Sequence, residues 1–262
     1  MYFTYWTDVD LGDAADDYVG FDTSLQMGYT YNADNDDGGG SGNTYGVAPP
    51  AVGHMIIQAP VVPSTLGDSA FFNDRWINGF RNLKMNATGL IIKSISSPFW
   101  PTDVHQGVYE GTLQWYNVMQ GLTNSGERIT DPTTGLFTKF PLCGDPVVQT
   151  GWYEGSGWPG GPPSGDRRHH IPVGPFHLAI GDTQEIVIAI FISKGNNNIS
   201  SVARLKKDAA ILREAYTNGL NAKPVMDSLN LHAYAQENKI LLWWSDEIEN
   251  FDLVDKRISY KN

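Results

Sequence analysis

Short apolar runs broken by glycine, proline and asparagine fill this chain, the first alternating with a period of two and the later ones nearly continuous. Tyr2–Thr7 places Phe3, Tyr5 and Thr7 on one face and predicts a first strand. Leu25–Tyr31 predicts a second, and Gly53–Pro60 (GHMIIQAP) and Asn86–Ile95 predict two buried ones. Phe176–Leu178 and Gln184–Ser193 (QEIVIAIFIS) follow, and the near-continuous β-branched run of the latter predicts a place in the centre of a sheet. Two segments have a helical period instead. After Thr112 as cap, LQWYNVMQ predicts a short helix that Gly121 stops. Asn198–Asn218 predicts a long one, capped by Ser200 and ended by Gly219, with Val202, Leu205, Ala209, Leu212 and Tyr216 as its apolar stripe. Between these lie a loop at Ser97–Gly111 and a turn-rich hairpin or loop at Thr123–Gly135. Gly144–Pro175 is the longest irregular stretch, rich in Gly, Pro and Trp.

The texture changes after Gly219. Ala222-Lys223-Pro224 reads as a linker, and Leu229–Tyr234 and Lys239–Trp244 as two new strands. The predicted fold is therefore all-β: a β-sandwich or jelly-roll-like domain over residues 1–221 with one peripheral long helix, then the first strands of a second β-sandwich over 222–262.

Charge adds one feature. The formal net charge is −11, and residues 1–74 hold eleven Asp with no Lys, Arg or Glu, so they carry the whole imbalance. Nine of these lie between Asp8 and Asp37, beginning with Asp8, Asp10, Asp13, Asp16, Asp17 and Asp22 in a first acidic loop. Asp34, Asp36 and Asp37, with Asn32, form a second. So many carboxylates without a counter-charge repel one another, whereas hard divalent cations bind clustered carboxylate and carbonyl oxygens. These ten residues are the candidate ligands of a calcium site, with solvated Asx turns as the alternative reading. An EF-hand is excluded: the glycine of Asn32–Gly38 comes one place late, and Asn43 stands where the bidentate Glu belongs. The absence of a basic cluster argues against a nucleic-acid partner, and no run of eighteen apolar residues offers a membrane span.

Catalytic patterns are missing. There is no G-x-S-x-G elbow, H-E-x-x-H, P-loop or dinucleotide glycine motif. His169 and His170 are neighbours, so on a strand they point to opposite faces and cannot share a metal. Asp145, Glu154 and Asp166 lie among Trp152 and Trp158 in the manner of a glycosidase pair. Turn formation before Pro146 and pairing with Arg167-Arg168 account for two of them. Trp100, Trp115, Trp152 and Trp158 read either as core or as a glycan-binding surface. Cys143 is the single cysteine, excludes an intrachain disulfide, and reads as buried and inert. The first residues, MYFTYWTDVD, lack the features of a signal peptide and read as a strand already in progress, which predicts further sequence upstream.

Several blocks taken in order carry a resemblance: YWTDVDLGDAADDYVGFDTSLQMGYTYNADND, YGVAPPAVGHMIIQAP, WYNVMQG, CGDPVVQTGW and SGDRRHHIPVGPFHLAIGDTQEIVIAIFISKG. Over residues 1–220 the chain resembles large secreted proteins of Bacteroidota-type bacteria, usually exported by the type IX secretion system. Residues 224–244 look like the opening strands of a fibronectin type III-like domain. The resemblance implies an extracellular or cell-surface location and sequence missing at both ends. It also implies a modular structural role beside other domains of the same large surface protein. The resulting expectation is a non-catalytic structural, adhesion or binding module stabilised by calcium. The alternatives are a carbohydrate-active enzyme or sugar-binding protein using the Trp-rich 145–170 loop, and a self-assembling subunit of an extracellular filament or sheath.

Overall fold

The structure, a computed structural model, describes residues 1–38, 44–92, 111–218, 232–236 and 239–243. The predicted loop around Phe99-Trp100-Pro101, the glycine tip Gly39–Gly42, the Gly219 stop and the Ala222–Pro224 linker lie outside these residues. The chain divides into two compact units, Met1–Leu220 and Asn221–Asn262. In the first, the principal strands are β1 (Phe3–Val9), β2 (Asp17–Asp22), β3 (Met27–Asn32), β4 (Ala51–Gln58), β5 (Gly89–Ile92), β6 (Arg167–Val173) and β7 (Val187–Ser193). Two helices accompany them, α1 (Gly111–Met119) and α2 (Asn198–Thr217). In the second unit β8 (His232–Gln236) and β9 (Lys239–Trp243) form an antiparallel hairpin. The regular structure of the described residues is thus mostly antiparallel strand, as an all-β protein requires. Among the described residues no helix is long and apolar enough to cross a membrane.

Strand alternation builds the layers. A small sheet of order β1-β6-β5 faces a larger one of order β7-β4-β3-β2. Tyr5 of β1 stacks on His54 of β4, and His169 of β6 meets Phe21 of β2 edge to face. Between the sheets, Val19, Phe21, Ile56, Leu90, Ile171 and Val173 form one core cluster. The opposite face of the larger sheet presents Met27, Tyr29, Tyr31 and Met55 to Val202, Leu205 and Ala209 of α2. The predicted stripe of α2 is thus its buried face, and Tyr216 at its end donates to Gln58 Oε1 at 2.7 Å. The cap, however, is Asn197: its side chain accepts from Ser200 N–H while Ser200 Oγ accepts from Asn197 N–H, a reciprocal capping box.

Four expectations are corrected. The first acidic loop ends early, because Asp17–Asp22 is itself a strand that buries Val19 and Phe21. The irregular stretch up to Pro175 contains β6, the middle strand of the small sheet, held by the register Phe3↔Val173 on one side and Gly89↔His170 on the other. Phe176–Leu178 is not a strand. The QEIVIAIFIS run lies at the edge of its sheet rather than in the centre, with only its Ala189 and Phe191 face covered by the α2 layer.

Leu205 lies fully buried between α2 and the larger sheet, whereas Ile211 on the same helix is half exposed. Leu205→Ala should lower unfolding free energy by about 2–5 kcal/mol and Ile211→Ala by less than about 0.5 kcal/mol, measured by denaturant titration.

Candidate functional site

The ten predicted ligands separate into three places. Asp8 and Asp10, at the end of β1, come within 4.8 Å of Asp166 through their carboxylate oxygens. Arg168 bridges two of them, 2.8 Å from Asp8 and 2.9 Å from Asp166, and supplies the counter-charge. Asp22 sits at the far end of β2, where it caps a turn by accepting from Ser24 and Leu25 and pairs with Lys206 at 3.5 Å. Burial raises its proton affinity, but those hydrogen bonds and the Lys206 charge outweigh it and hold the carboxyl below its ordinary value.

The remaining residues gather around a single 3₁₀ turn, Ala14–Asp16, which Asp13 caps through Ala15 N–H. Asp37, fully buried, accepts from Asp13 N–H at 2.8 Å and Tyr45 N–H at 2.5 Å. The backbone of Gly12 lies flat against this carboxylate: with φ +77°, a Cβ there would stand 1.8 Å from Asp37 Oδ2. Asn32 and Asp34 continue the chain of Asx turns by accepting from Asp34 N–H and Asp36 N–H. Asn32 O accepts from Asn198 Nδ2 of α2, which ties this cluster to the helix start. Asp36 is exposed and pairs by its backbone with Val47.

Asp16 and Asp17 each keep one buried carboxylate oxygen without a hydrogen-bond partner among the described residues, and Asp17 is the more deeply buried of the two. Its Oδ2 accepts from Leu11 N–H at 3.1 Å, while its buried Oδ1 has no hydrogen-bond partner among the described residues. The Asn32 amide nitrogen, also buried, reaches toward Asp16 without completing a bond. Burial first, then the charges of Asp16, Asp37 and Asp10, push the Asp17 carboxyl up to about 8. Asp16 is raised for the same reason, burial, with Asp37, Asp13 and Asp34 adding to it. A carboxylate in this position either keeps its proton or takes a cation.

Sequence reasoning missed the polar groups that span the two sheets. Arg167, at the start of β6, is 1% exposed and meets Glu154 through a fork, Nε at 3.0 Å and Nη2 at 2.8 Å from Oε2. Nη2 also donates to Pro163 O, and Glu154 Oε1 accepts from Val19 N–H of β2 at 2.8 Å. His169 and His170 point to opposite faces of β6 as the alternation predicts. His169 packs 5.3 Å from His54 between the sheets, and His170 packs 6.2 Å from Trp115 of α1. Burial holds His54 down to about 4 and His170 to about 3, and it drives His169 well below the ordinary histidine value. All three are uncharged at neutral pH. The only advance signal was the adjacency of Arg167, Arg168, His169 and His170 on one short run.

The carboxylates of the Trp-rich region are each committed. Asp145 caps a turn through Val147 N–H and pairs with Lys206 at 2.9 Å, Glu154 holds Arg167, and Asp166 holds Arg168. Trp152 is buried and packs edge-on to Trp158. Burial pushes the Cys143 thiol up to about 12, so it carries no thiolate at neutral pH. Fold and site together define an all-β protein with an acidic loop cluster on one end of a two-sheet core. No family model, curated protein or solved structure matches the chain.

Two measurements check this geometry. Glu154→Ala leaves a buried guanidinium without its partner and should lower unfolding free energy by about 3–5 kcal/mol in denaturant titration. Replacing both partners, Glu154→Leu with Arg167→Met, should restore most of the loss. For the histidines the folded values lie below the unfolded value of about 6.5, so the unfolded chain binds the proton first. Stability is therefore fully present above about pH 6.5 and falls as pH drops toward the folded values. Relative to the parent, His54→Phe should flatten the decline of the unfolding free energy between about pH 6.5 and 4 by up to about 1.4 kcal/mol per pH unit.

Proposed function

We propose that this chain is a non-catalytic structural, adhesion or binding module of an extracellular or cell-surface protein, built as a β-sandwich or jelly-roll-like domain whose acidic loops are braced by calcium. The observation that carries the cation is the buried Asp17 carboxylate. One oxygen lacks a partner among the described residues, and the charges acting most strongly on it are other carboxylates. Asp37 and Asn32, both fully buried, lie in the same turn cluster, so carboxylate and amide oxygens are held on short, backbone-anchored turns. Oxygen ligands on such turns suit calcium, and millimolar extracellular concentrations fill even weak sites.

Support for the module reading is the commitment of Asp145, Glu154 and Asp166 to structural bonds, together with the missing catalytic motifs. The sugar-acting alternative draws only on an open depression lined by Asp131, Phe140, Cys143, Asp145 and Trp152. Placement in a longer surface protein, followed by a fibronectin type III-like domain from residue 222, rests on the resemblance described above.

Thermal unfolding in calcium and in chelator tests the brace. The midpoint should rise by a few degrees in ~2 mM calcium, roughly 2- to 20-fold above the ~0.1–1 mM dissociation constants of extracellular calcium modules. Asp17→Asn should abolish that rise while leaving the chelator midpoint equal or higher. An unchanged parental midpoint removes the cation from this reading.

A further inference from the structure

The two sheets do not match in width. Because β1 lies over β4 and β6 over β3 and β2, the four-stranded sheet extends one strand, β7, beyond the edge of the small sheet. The register Ile190↔His54 and Ile192↔Val52 puts these side chains in one row facing the small sheet. Under β1 that row is dry, with Val52 6% and His54 4% exposed. Beyond β1 it is bare, with Ile190 62% and Ile192 61% exposed. The edge of β1 above it pairs only with β6 and has no other backbone partner among the described residues. The opposite side of the molecule is treated differently. There the edge of β2 is sealed: Val19 N–H donates to Glu154, Phe21 N–H to Leu142 O, and Asp17 O accepts from Gly165 N–H.

We propose that the free edge of β1 and the bare Ile190–Ile192 row form an acceptor groove for an extended peptide segment of another polypeptide, which adds as a fourth strand to the small sheet. The groove continues the inter-sheet core without a break, so its occupant repeats the chemistry of β1. Aliphatic side chains at alternate positions lie down on Ile190 and Ile192, and backbone groups pair with β1. Charge fixes the end of the segment. Asp10, exposed just past β1, has no cationic partner among the described residues and lies beside Asp8 and Asp166, which favours a basic residue there. A second copy offering its own β1 does not fit. Pairing the two β1 edges would bring the β4 of one copy into the position that β7 of the other already holds, since β7 occupies the place next to β4. The groove therefore takes a single strand. The groove itself, β1 with Ile190 and Ile192, uses none of the candidate calcium ligands.

The test uses the full chain and two fluorescein-labelled eight-residue peptides of alternating valine and threonine, one with lysine at the first position and one with lysine at the last. Fluorescence anisotropy should show saturable binding of one of them. Ile190→Lys should weaken it at least tenfold, with an unchanged far-UV circular dichroism spectrum because the side chain is exposed. Replacing alternate residues of the peptide with proline, which removes the N–H donors, should abolish it. Asp10→Asn should weaken binding of that lysine peptide but not of a third peptide in which threonine replaces the lysine. Flat anisotropy for both peptides up to ~1 mM, a concentration that detects binding of only about 4 kcal/mol, overturns the proposal. Binding that Ile190→Lys leaves intact also overturns it. So does a dimer in sedimentation that Ile190→Lys dissolves, since that outcome assigns the groove to a second copy.

Discussion

Glu154 and Arg167 are both out of reach of water, and a charge in that position is tenable only when each of its hydrogen-bonding positions is answered. Here they nearly all are. The guanidinium fork lies on one carboxylate, its outer nitrogen reaches Pro163 O, and the remaining carboxylate oxygen takes Val19 N–H. One ion pair thereby fastens a loop, the start of β6 and the edge of β2. It also sets which way β6 faces. A slip of one residue would turn Arg167 outward and bring Arg168 between the sheets, away from both Asp8 and Asp166. The register of the small sheet, the inward position of His169 and the irregular path of residues 144–166 all follow from that contact.

Polar reach also docks the helix layer. Arg213 donates to the carbonyls of Leu25, Ile56 and Ile57, Lys206 lies between Asp22 and Asp145, and Asn198 takes hold of Asn32. The last contact is the one that couples α2 to the acidic turns. The cluster around Asp17 is thus buttressed from three sides, by β2, by the Gly12 backbone and by the start of the long helix, and its buried carboxylates, Asp17 and Asp37, have little freedom to swing apart into solvent.

Much of the architecture was legible because it is local. The stripe of α2, the inward face Phe3-Tyr5-Thr7 and the buried run GHMIIQAP each rest on residues a few positions apart, and so do the turn role of Asp145 and the pairing of Asp166. What could not be read depends on distant neighbours. β2 hid inside the acidic stretch because Asp17 and Asp22 flank its apolar residues, and Asp17 itself turns inward with Val19 and Phe21. β6 hid behind polar letters. RRHH reads as loop until one sees that α1 covers one face and the larger sheet the other. The apolar run of β7 looks the same whether both its faces are covered or only one, so its position at an edge was invisible. Within the acidic stretch, composition showed that carboxylates crowd together. Only the fold separates Asp22, which has Lys206, from Asp17, which has no cationic neighbour among the described residues.

The pairing of β1 with β6 has a temporal side. Phe3 meets Val173, so β1 is synthesised about 165 residues before β6 and must wait for most of the unit to be made before its hydrogen bonds close. Until then β4, which β1 covers, exposes His54 and its neighbours, and the nascent chain carries an amphipathic strand whose partner has not yet been made. A polypeptide built this way assembles late and all at once, and for that interval it is the kind of client that chaperones hold.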